Sequence, residues 1–245
     1  MEEPTLGVNA NADSDTADCN TEPRRERMTS MRRVIAKRMS QSWAIAPTVT
    51  FNRSADVTAL GELKTSISTA GEKISYTDLL VKLTADALMA FPYVNASIDG
   101  DDILYHDFVN IGVAVALDNG LLVPVVKNAE KKGVSEISSE IRRLAEKARA
   151  GRLSLDEMTG GTFTITNLGM FGIESFSPII NQPESAILGV NTITKCPVEL
   201  EGKIVMQPRI TLSLTADHRV VDGAVAAAFL QRLCELIEAP EAVLG

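Results

Sequence analysis

The feature that most constrains this chain is a strand, a short turn and a helix in direct succession near its carboxyl end. Residues 210–216 alternate between apolar and polar side chains, which is typical of a strand with one buried face. Residues 224–237 are largely apolar and long enough to form a buried helix. Between them lies the sequence Asp-His-Arg-Val-Val-Asp-Gly, so we expect two rigid elements to hold a loop that contains a histidine.

His218 in this loop is one of only two histidines in the chain. The unperturbed pKa of a histidine lies near neutrality, and the carboxylate of Asp222 follows four residues later, so His218 is a candidate catalytic base. A histidine beside an aspartate also occurs in structural networks, and the dipeptide alone does not separate the two roles. The position between a strand and a helix favours the catalytic role.

The composition limits the classes to which the protein can belong. With 245 residues, 45% of them apolar, the chain can bury the core of one large domain or of two small ones. It has no run of about 18 apolar residues, so no membrane span is predicted. The net charge of -8 argues against binding to nucleic-acid phosphates, because that role needs clustered Lys and Arg.

The cysteines indicate the redox environment. Cys19, Cys196 and Cys234 are odd in number, far apart in the sequence and without a Cys-x-x-Cys pair. We therefore expect a reducing compartment and no metal site.

The amino-terminal residues differ in composition from the rest. They are rich in Asp, Glu, Asn, Thr and Pro and show no hydrophobic period, so residues 1–27 are predicted to be a disordered acidic tail or linker. They lack the apolar centre of a secretory signal and are too acidic for a typical mitochondrial transit peptide. The expected location is the cytoplasm.

The pattern of the remaining chain predicts an α+β fold, with helices packed on one large mixed β-sheet and no internal repeat. The first helix is basic on its outer face, which is either a solvated surface or a surface that binds an anion or an internal carboxylate. In the hairpin at residues 110–126, the second strand is expected near a sheet edge because Pro124 cannot donate to a ladder. Predicted helices cover residues 31–43, 56–69, 79–91, 135–150 and 224–237, and predicted strands cover 48–55, 94–98, 103–106, 110–117, 121–126, 160–169, 185–190 and 204–216.

Seven segments in order resemble the catalytic domain of the dihydrolipoyl acyltransferase component of 2-oxo-acid dehydrogenase complexes. The resemblance covers residues 28–245, which are expected to form one acyltransferase catalytic domain. The segments are RVIAKRM (33–39), NIGVAV (110–115), GLLVPV (120–125), GGTFTITNLG (160–169), PIIN (178–181), PESAILG (183–189) and DHRVVDGA (217–224).

This resemblance implies a fold shared with chloramphenicol acetyltransferase and a homotrimer whose active sites lie between subunits. It implies that coenzyme A and the dihydrolipoyl group enter from opposite ends of a channel. Family trimers assemble into cubic or dodecahedral cores that work with dehydrogenase components, and the apolar residues 240–245 fit the family's carboxyl terminus, which helps to join trimers.

The family's reaction moves an acyl group between dihydrolipoamide and coenzyme A, and the resemblance assigns three catalytic residues. His218 matches the base that takes a proton from the attacking thiol. Thr166 stands where a serine is usual and keeps a hydroxyl that can donate to an oxyanion, although its methyl group restricts the rotamer. Asp222 matches a second signature residue and is expected to hold the loop through an arginine or backbone contact.

The resemblance also points to coenzyme A contacts at Lys64, Ser75 and Asn167. Lys64 stands where an arginine often meets a phosphate and would act as a point charge, while a solvated lysine is the alternative. His106 has no family role and is expected to be structural or exposed.

Several alternatives stay open from the sequence. A lipoyl domain and a domain that binds the peripheral dehydrogenase do not appear before Met28, so the chain is either a fragment or a core that receives lipoyl groups from another polypeptide. The segments TNLG (166–169) and PIINQPES (178–185) resemble the acetyl and branched-chain types more than the succinyl type, so an acetyl group is favoured, with branched-chain or acetoin-type specificity as alternatives. Pocket volume decides such preferences. A carrier-independent acetyltransferase acting on a hydroxyl group and a non-catalytic scaffold are the competing functions.

Overall fold

The computed structural model describes residues 23–244 apart from positions 70, 72, 118 and 119. The predicted tail therefore lies outside the described residues except for residues 23–27, which belong to no helix or strand. The helices are α1 (Ser30–Ile45), α2 (Thr58–Thr69), α3 (Tyr76–Met89), α4 (Val134–Arg149), α5 (Gly223–Glu238) and α6 (Glu241–Leu244). The strands are β1 (Thr48–Asp56), β2 (Ala96–Asp99), β3 (Asp102–Tyr105), β4 (Ile111–Val113), β5 (Val115–Leu117), β6 (Gly120–Leu122), β7 (Val125–Val126), β8 (Phe163–Asn167), β9 (Ala186–Leu200) and β10 (Lys203–Asp217).

The main sheet is mixed, with the strand order β1-β10-β9-β8-β4-β7. Strand β8 is parallel to both of its neighbours, and the other pairs in this sheet are antiparallel. Helix α5 packs on β1 and against α3, and α4 packs on α3. This arrangement confirms the predicted α+β class.

The two faces of the main sheet differ in chemistry because side chains alternate along each strand. One face is apolar and is covered by the helices, where Leu212 and Leu214 of β10 join the hydrophobic core. The opposite face is lined by hydroxyl and amide side chains, including Thr50, Ser213 and Thr215. The functional residues on β8 and β10 must therefore be assigned to a face before they are compared.

The predicted hairpin at residues 110–126 is confirmed, but it forms two short ladders instead of one. β4 pairs with β7, and β5 pairs with β6. The two ladders are separated at Ala114, whose backbone N–H donates to the Ile165 carbonyl on β8. β7 lies at the edge of the main sheet, as Pro124 predicts.

The hairpin formed by β9 and β10 is longer than the sequence predicts. The expected strand ends at residue 190, whereas β9 continues to Leu200 and pairs with β10 along the added length. β8 pairs with β9 only as far as Val190, and β1 pairs with β10 only from Arg209 onward. The outer half of the hairpin is thus a two-stranded arm with exposed apolar side chains, namely Leu200, Ile204 and Met206.

The start of the second helix also differs from the prediction. The predicted helix begins at residue 56, but Asp56 is the last residue of β1, and α2 begins at Thr58. The Asp56 carboxylate accepts hydrogen bonds from the backbone N–H and the hydroxyl of Thr58, at 2.9 and 2.6 Å. Asp56 belongs to the strand because it pairs with Arg209 of β10.

In the part of the chain that is described, no helix is long and apolar enough to cross a membrane.

Candidate active site

His218 directly follows β10, at the end of the strand–turn–helix unit that the sequence predicts. Its backbone N–H donates to the Pro47 carbonyl at 3.0 Å, so the loop is tied to the segment that joins α1 to β1. The His218 side chain is exposed. The imidazole is therefore open to solvent on a backbone that is held in place.

The histidine loop, residues 217–223, is held by Asp217 and not by Asp222. Asp217 is only 1% exposed and accepts hydrogen bonds from the Arg219 side chain (Nε at 3.0 Å, Nη2 at 2.6 Å) and from the Arg219 backbone N–H at 3.0 Å. The hydrogen bond to this carboxylate raises the pKa of Arg219. Asp222 is exposed at the amino end of α5, and its carboxylate makes no hydrogen bond to any described residue. The loop-holding contact expected of Asp222 is therefore not formed with any residue that the structure describes.

Thr166 lies near the end of β8, half-buried, on the polar face of the sheet. Its cross-strand partner is Gly189, where an added Cβ atom would lie 2.9 Å from the Phe176 ring, so this ring covers the glycine. No described residue forms a hydrogen bond with the Thr166 hydroxyl, which leaves its O–H available to a ligand.

The sequence-based prediction misses a polar network on the same face of the sheet, centred on Ser213, which pairs with Gly189. The Ser213 hydroxyl donates to Asn52 Oδ1 at 2.6 Å and accepts from Asn191 Nδ2 at 2.9 Å. Asn191 Oδ1 is buried without a hydrogen-bond partner among the described residues. The only signal in the sequence is that these polar side chains occur inside strands, which does not reveal that they meet.

The structure separates His218 from Thr166. Thr166 pairs with Gly189 of β9, and Gly189 pairs with Ser213 of β10, five residues before His218. Two strand spacings across the sheet and five residues along it amount to roughly 15–20 Å between the two backbones. The two side chains therefore do not meet within one chain.

Asn167, the residue after Thr166, points to the opposite, helix-covered face of the sheet, where it meets the elements that carry the other two predicted coenzyme A residues. Asn167 Nδ2 donates to the Thr77 hydroxyl at 3.1 Å, which joins the end of β8 to the first turn of α3. Ser75 caps the same helix, and its side chain accepts from the Asp78 N–H at 3.2 Å. Lys64 Nζ lies 5.4 Å from the centre of the Tyr76 ring. We call the region around the end of β8 the threonine site; it includes Lys64, Ser75 and Asn167 on the helix-covered face and Thr166 on the polar face.

Two residues of the threonine site have structural roles that the sequence does not reveal. Asn167 Oδ1 accepts from the Gly169 N–H at 2.8 Å, and a Cβ atom at Gly169 would lie 2.5 Å from the Asn191 carbonyl oxygen. The Asn-Leu-Gly sequence thus ends β8 in a turn that only glycine fits. Ser75 and Asp78 form a complete capping box.

A basic cleft of about 340 Å³ adjoins the threonine site between α3 and α4. Ser75 lines it together with Lys73, Arg142 and Arg149, and Arg142 donates to the Lys73 carbonyl at 2.9 Å. The carboxylates of Asp78 and Glu146 also face the cleft. Sequence reasoning missed these cations because α4 comes next to Lys73 only in the folded chain.

The sequence-based prediction also misses the buried carboxyl group of Glu184, which is 2% exposed. Its Oε1 accepts from Asn181 Nδ2 at 2.9 Å, and its Oε2 has no hydrogen-bond partner among the described residues. Burial raises the pKa of Glu184 to about 8, and hydrogen bonds from Thr164 and Asn181 and the charge of Arg38 lower it only in part. The group is therefore mostly protonated at neutral pH.

The other histidine is structural, as predicted. His106 Nε2 lies 3.1 Å from the Ser97 hydroxyl, and partial burial lowers the pKa of the imidazole. Among the described residues, no group of three or more His, Cys, Asp or Glu side chains is arranged to hold a metal ion.

Comparison with known proteins identifies a family. The model of the family described as 2-oxoacid dehydrogenases acyltransferase (catalytic domain) matches residues 20–245. The succinyltransferase component of the mitochondrial 2-oxoglutarate dehydrogenase complex of Saccharomyces cerevisiae is 43% identical over 225 residues, which are 90% of this chain and 49% of that protein. The acetyltransferase component of the pyruvate dehydrogenase complex of Bacillus subtilis is 43% identical over 226 residues, 90% and 51% of the two chains. The chain spans about half the length of these relatives, and equal identity to both does not distinguish acyl groups.

Solved structures match over the whole chain. The dihydrolipoamide acetyltransferase of Azotobacter vinelandii, studied for the role of one serine, one histidine and one asparagine in its catalytic mechanism, is 37% identical, with a TM-score of 0.87 and 100% coverage of both chains. The cubic core of a pyruvate dehydrogenase multienzyme complex gives the same values. Chloramphenicol acetyltransferase, 11% identical with a TM-score of 0.52 over 82% of this chain and 94% of that chain, shows the shared fold alone and confirms the predicted fold class.

Proposed function

Because the chain belongs to the family of 2-oxoacid dehydrogenase acyltransferase catalytic domains, we propose that it transfers an acyl group between a dihydrolipoyl group and coenzyme A. One observation carries this proposal. In the Azotobacter vinelandii enzyme the serine precedes the histidine by 52 positions and the asparagine follows it by four, and Thr166 and Asp222 have these spacings from His218. A threonine and an aspartate replace the serine and the asparagine.

In the proposed mechanism His218 accepts the proton of the attacking thiol, since the thiolate is the nucleophile. The thiolate adds to the thioester carbonyl, and the Thr166 hydroxyl donates to the oxygen on which negative charge develops. When the tetrahedral adduct collapses, its bond to the leaving sulfur breaks and His218 returns the proton to that sulfur. Protons and charges balance over the cycle, and no metal or redox step is needed.

We place each active site between two subunits, with His218 from one and Thr166 from the next. The distance between these residues within one chain supports this placement, because a base and an oxyanion donor must act on the same carbonyl. The proposed assembly is a homotrimer that joins others in a larger core, which the match to a cubic core supports. The lipoyl group would arrive on a carrier domain, and dehydrogenase components would be further partners.

Coenzyme A is assigned to the side of the threonine site. The amino end of α3 carries the partial positive charge of a helix start, which favours phosphate. Lys64 and the cations of the basic cleft add full charges beside it. Ser75 and Asn167 contribute by fixing this helix end, so their side chains position the site.

An acetyl group is the proposed acyl group, and a cytoplasmic location stays a prediction. Relatives that carry succinyl and acetyl groups are equally similar to the chain, so a panel of acyl-CoA substrates decides the first point. The acyl group with the highest kcat/KM identifies the specificity, and a preference for succinyl-CoA would contradict our assignment.

The proposal is tested by replacing the base. We expect His218→Ala to lower the rate at which acetyl-CoA and free dihydrolipoamide release the coenzyme A thiol by about 10²- to 10⁴-fold, the usual contribution of a general base. His106→Gln is the matched control, because that histidine bonds Ser97 outside the site. Equal activity of His218→Ala and wild type would refute the assignment.

A further inference from the structure

A cavity of about 520 Å³ lies between α1 and the loop that precedes β9, and we call it the α1 cavity. Its lining consists of Lys37, Arg38, Gln41, Ile45, Gln182 and Pro183. No acidic side chain is among these described residues, and neither Lys37 nor Arg38 forms a salt bridge within the described part of the chain. The cavity therefore carries positive charge that attracts an anion.

Arg38 is held in place before any ligand binds. Its Nη2 donates to Asn181 Oδ1 and to the Gln182 carbonyl, both at 3.0 Å, and the nearby Ser42 hydroxyl donates to the Ile180 carbonyl at 2.7 Å. The two acceptors of Arg38 are neutral, so they fix the guanidinium without cancelling its charge. The N–H groups on its Nη1 and Nε make no hydrogen bond to a described residue and stay available. Donors that are already ordered lose little conformational entropy when a ligand binds.

A buried carboxyl group close to Arg38 does not repel an anion at neutral pH. Asn181 joins the two groups, because its Oδ1 accepts from Arg38 and its Nδ2 donates to Glu184 Oε1 at 2.9 Å. Burial raises the pKa of Glu184 to about 8, so the group is mostly protonated at pH 7. Arg38 is the charged side chain that lowers this pKa, while Thr164 and Asn181 are neutral. The positive charge of the α1 cavity is thus intact below pH 8.

Two further features of the α1 cavity select among anions. Gln182 Nε2 is buried without a hydrogen-bond partner among the described residues, which costs free energy. Rotation about the last side-chain bond of Gln182, whose torsion is soft, turns this N–H toward an acceptor in the cavity. Ile45, which is 43% exposed, and Pro183 add apolar surface. A matching ligand has a negative charge, a second acceptor and a short aliphatic part.

We propose that the α1 cavity binds a small carboxylate with an oxygen acceptor on the neighbouring carbon, as in 2-oxo and 2-hydroxy acids. The carboxylate accepts from Arg38 and Lys37, the second oxygen accepts from Gln182, and the aliphatic part contacts Ile45. Inorganic phosphate shares the charge but has no aliphatic part. Because the ligand binds the folded chain at a site formed by two separate segments, it stabilises the folded state.

The first test is calorimetric titration of the wild-type protein with pyruvate, lactate, propionate and phosphate at pH 7 and constant ionic strength. We expect pyruvate or lactate to bind about 3- to 10-fold more tightly than propionate, which lacks the second acceptor and thus one hydrogen bond. The comparison of pyruvate with lactate distinguishes a 2-oxo from a 2-hydroxy ligand. The tighter ligand should also raise the Tm most at equal concentration.

The second test removes single donors. Lys37→Gln should weaken the binding of every carboxylate about tenfold, because a charge-assisted hydrogen bond is lost. Gln182→Leu keeps the backbone carbonyl that holds Arg38 and should bind pyruvate, lactate and propionate with equal affinity. Its Tm should not fall, since an unsatisfied buried donor is removed. Lys203→Gln, at an exposed lysine on β10, is the control and should keep the wild-type affinities.

A third readout is the pH dependence of binding. Between about pH 7 and pH 9 the affinity of the wild type should fall severalfold, because ionised Glu184 then competes for Arg38. Glu184→Gln should keep the affinity over this range. His106, which bonds Ser97 beside Glu184, has a lowered pKa and stays neutral throughout.

Four outcomes would overturn the proposal. They are phosphate binding more tightly than pyruvate and lactate, unchanged affinities in Lys37→Gln, a preference over propionate that survives in Gln182→Leu, and equal pH dependence in Glu184→Gln and wild type. The proposed acyl transfer does not depend on these results, because its rate is measured without these ligands.

Discussion

Among single residues, Glu184 is the carboxyl group whose charge the fold changes most clearly. Its pKa of about 8 in the folded chain lies above the ordinary value of 4.5, so the folded state binds the proton more tightly than the unfolded state. The resulting stabilisation is complete below pH 4.5 and is lost as the pH rises through about 8. We therefore expect the free energy of unfolding to fall by a few kcal/mol over this range, since each pKa unit corresponds to about 1.4 kcal/mol.

Glu184→Gln should remove this pH dependence, because an amide of the same shape does not ionise. Urea unfolding followed by circular dichroism at about pH 5, 7 and 9 measures the free energy of unfolding of both proteins. At the highest pH the variant should be more stable than the wild type. Glu174→Gln, at an exposed position, is the control and should follow the wild type. Parallel curves for Glu184→Gln and wild type would contradict the raised pKa.

Single residues of the histidine loop also differ in how far the sequence predicts their roles. His218 is predicted because a strand, a turn and a helix define its surroundings within one continuous segment. The role expected of Asp222 belongs in the described part of the chain to Asp217, which is buried and bonds Arg219, whereas Asp222 is exposed. Burial of Asp217 depends on contacts with distant segments, which a local pattern does not contain.

At the scale of elements, the start of α3 combines a structural and a proposed binding role in Ser75. The capping box gives its hydroxyl a partner, so Ser75→Ala should cost about 1 kcal/mol of stability. Ser75→Asp keeps a capping oxygen and should retain stability, but its negative charge faces the proposed phosphate site and should raise the KM for coenzyme A. Thermal unfolding together with coenzyme A titration separates the two effects. Unchanged KM in Ser75→Asp would remove coenzyme A from this helix end.

Most elements follow from the sequence because each buries one face, and the resulting period is visible. The prediction fails where burial is absent. Residues 191–200 of β9 lie mostly in the exposed arm, so no alternation marks them, and pairing with β10 alone makes them a strand. The threonine site could be predicted only through resemblance, since β8, α2 and α3 meet there from separate parts of the chain.

For the whole molecule, the separation of His218 from Thr166 gives a test that uses two inactive variants. His218→Ala lacks the base, and Thr166→Val lacks the hydroxyl donor, whose loss costs about 3 kcal/mol in typical oxyanion sites. If each active site takes one residue from each of two subunits, trimers assembled from equal amounts of both variants should regain about a quarter of wild-type activity.

The mixed assemblies are made by unfolding and refolding the variants together, and the rate of coenzyme A thiol release is then measured. Thr166→Ser keeps the hydroxyl and serves as the control that retains activity alone. A mixture no more active than the two variants refolded separately would place both residues in one subunit's site or remove Thr166 from the reaction.

The hairpin of β9 and β10 has a consequence for the order of folding. These strands form the centre of the main sheet from adjacent parts of the chain, and such local pairing has a low entropic cost and is fast. β1, by contrast, reaches β10 from a point more than 150 residues earlier in the sequence. We expect it to dock late, and only then does the Pro47 carbonyl meet the His218 N–H. Because His218 lies near the carboxyl end, the histidine loop gains this anchor only after almost the whole chain has been synthesised.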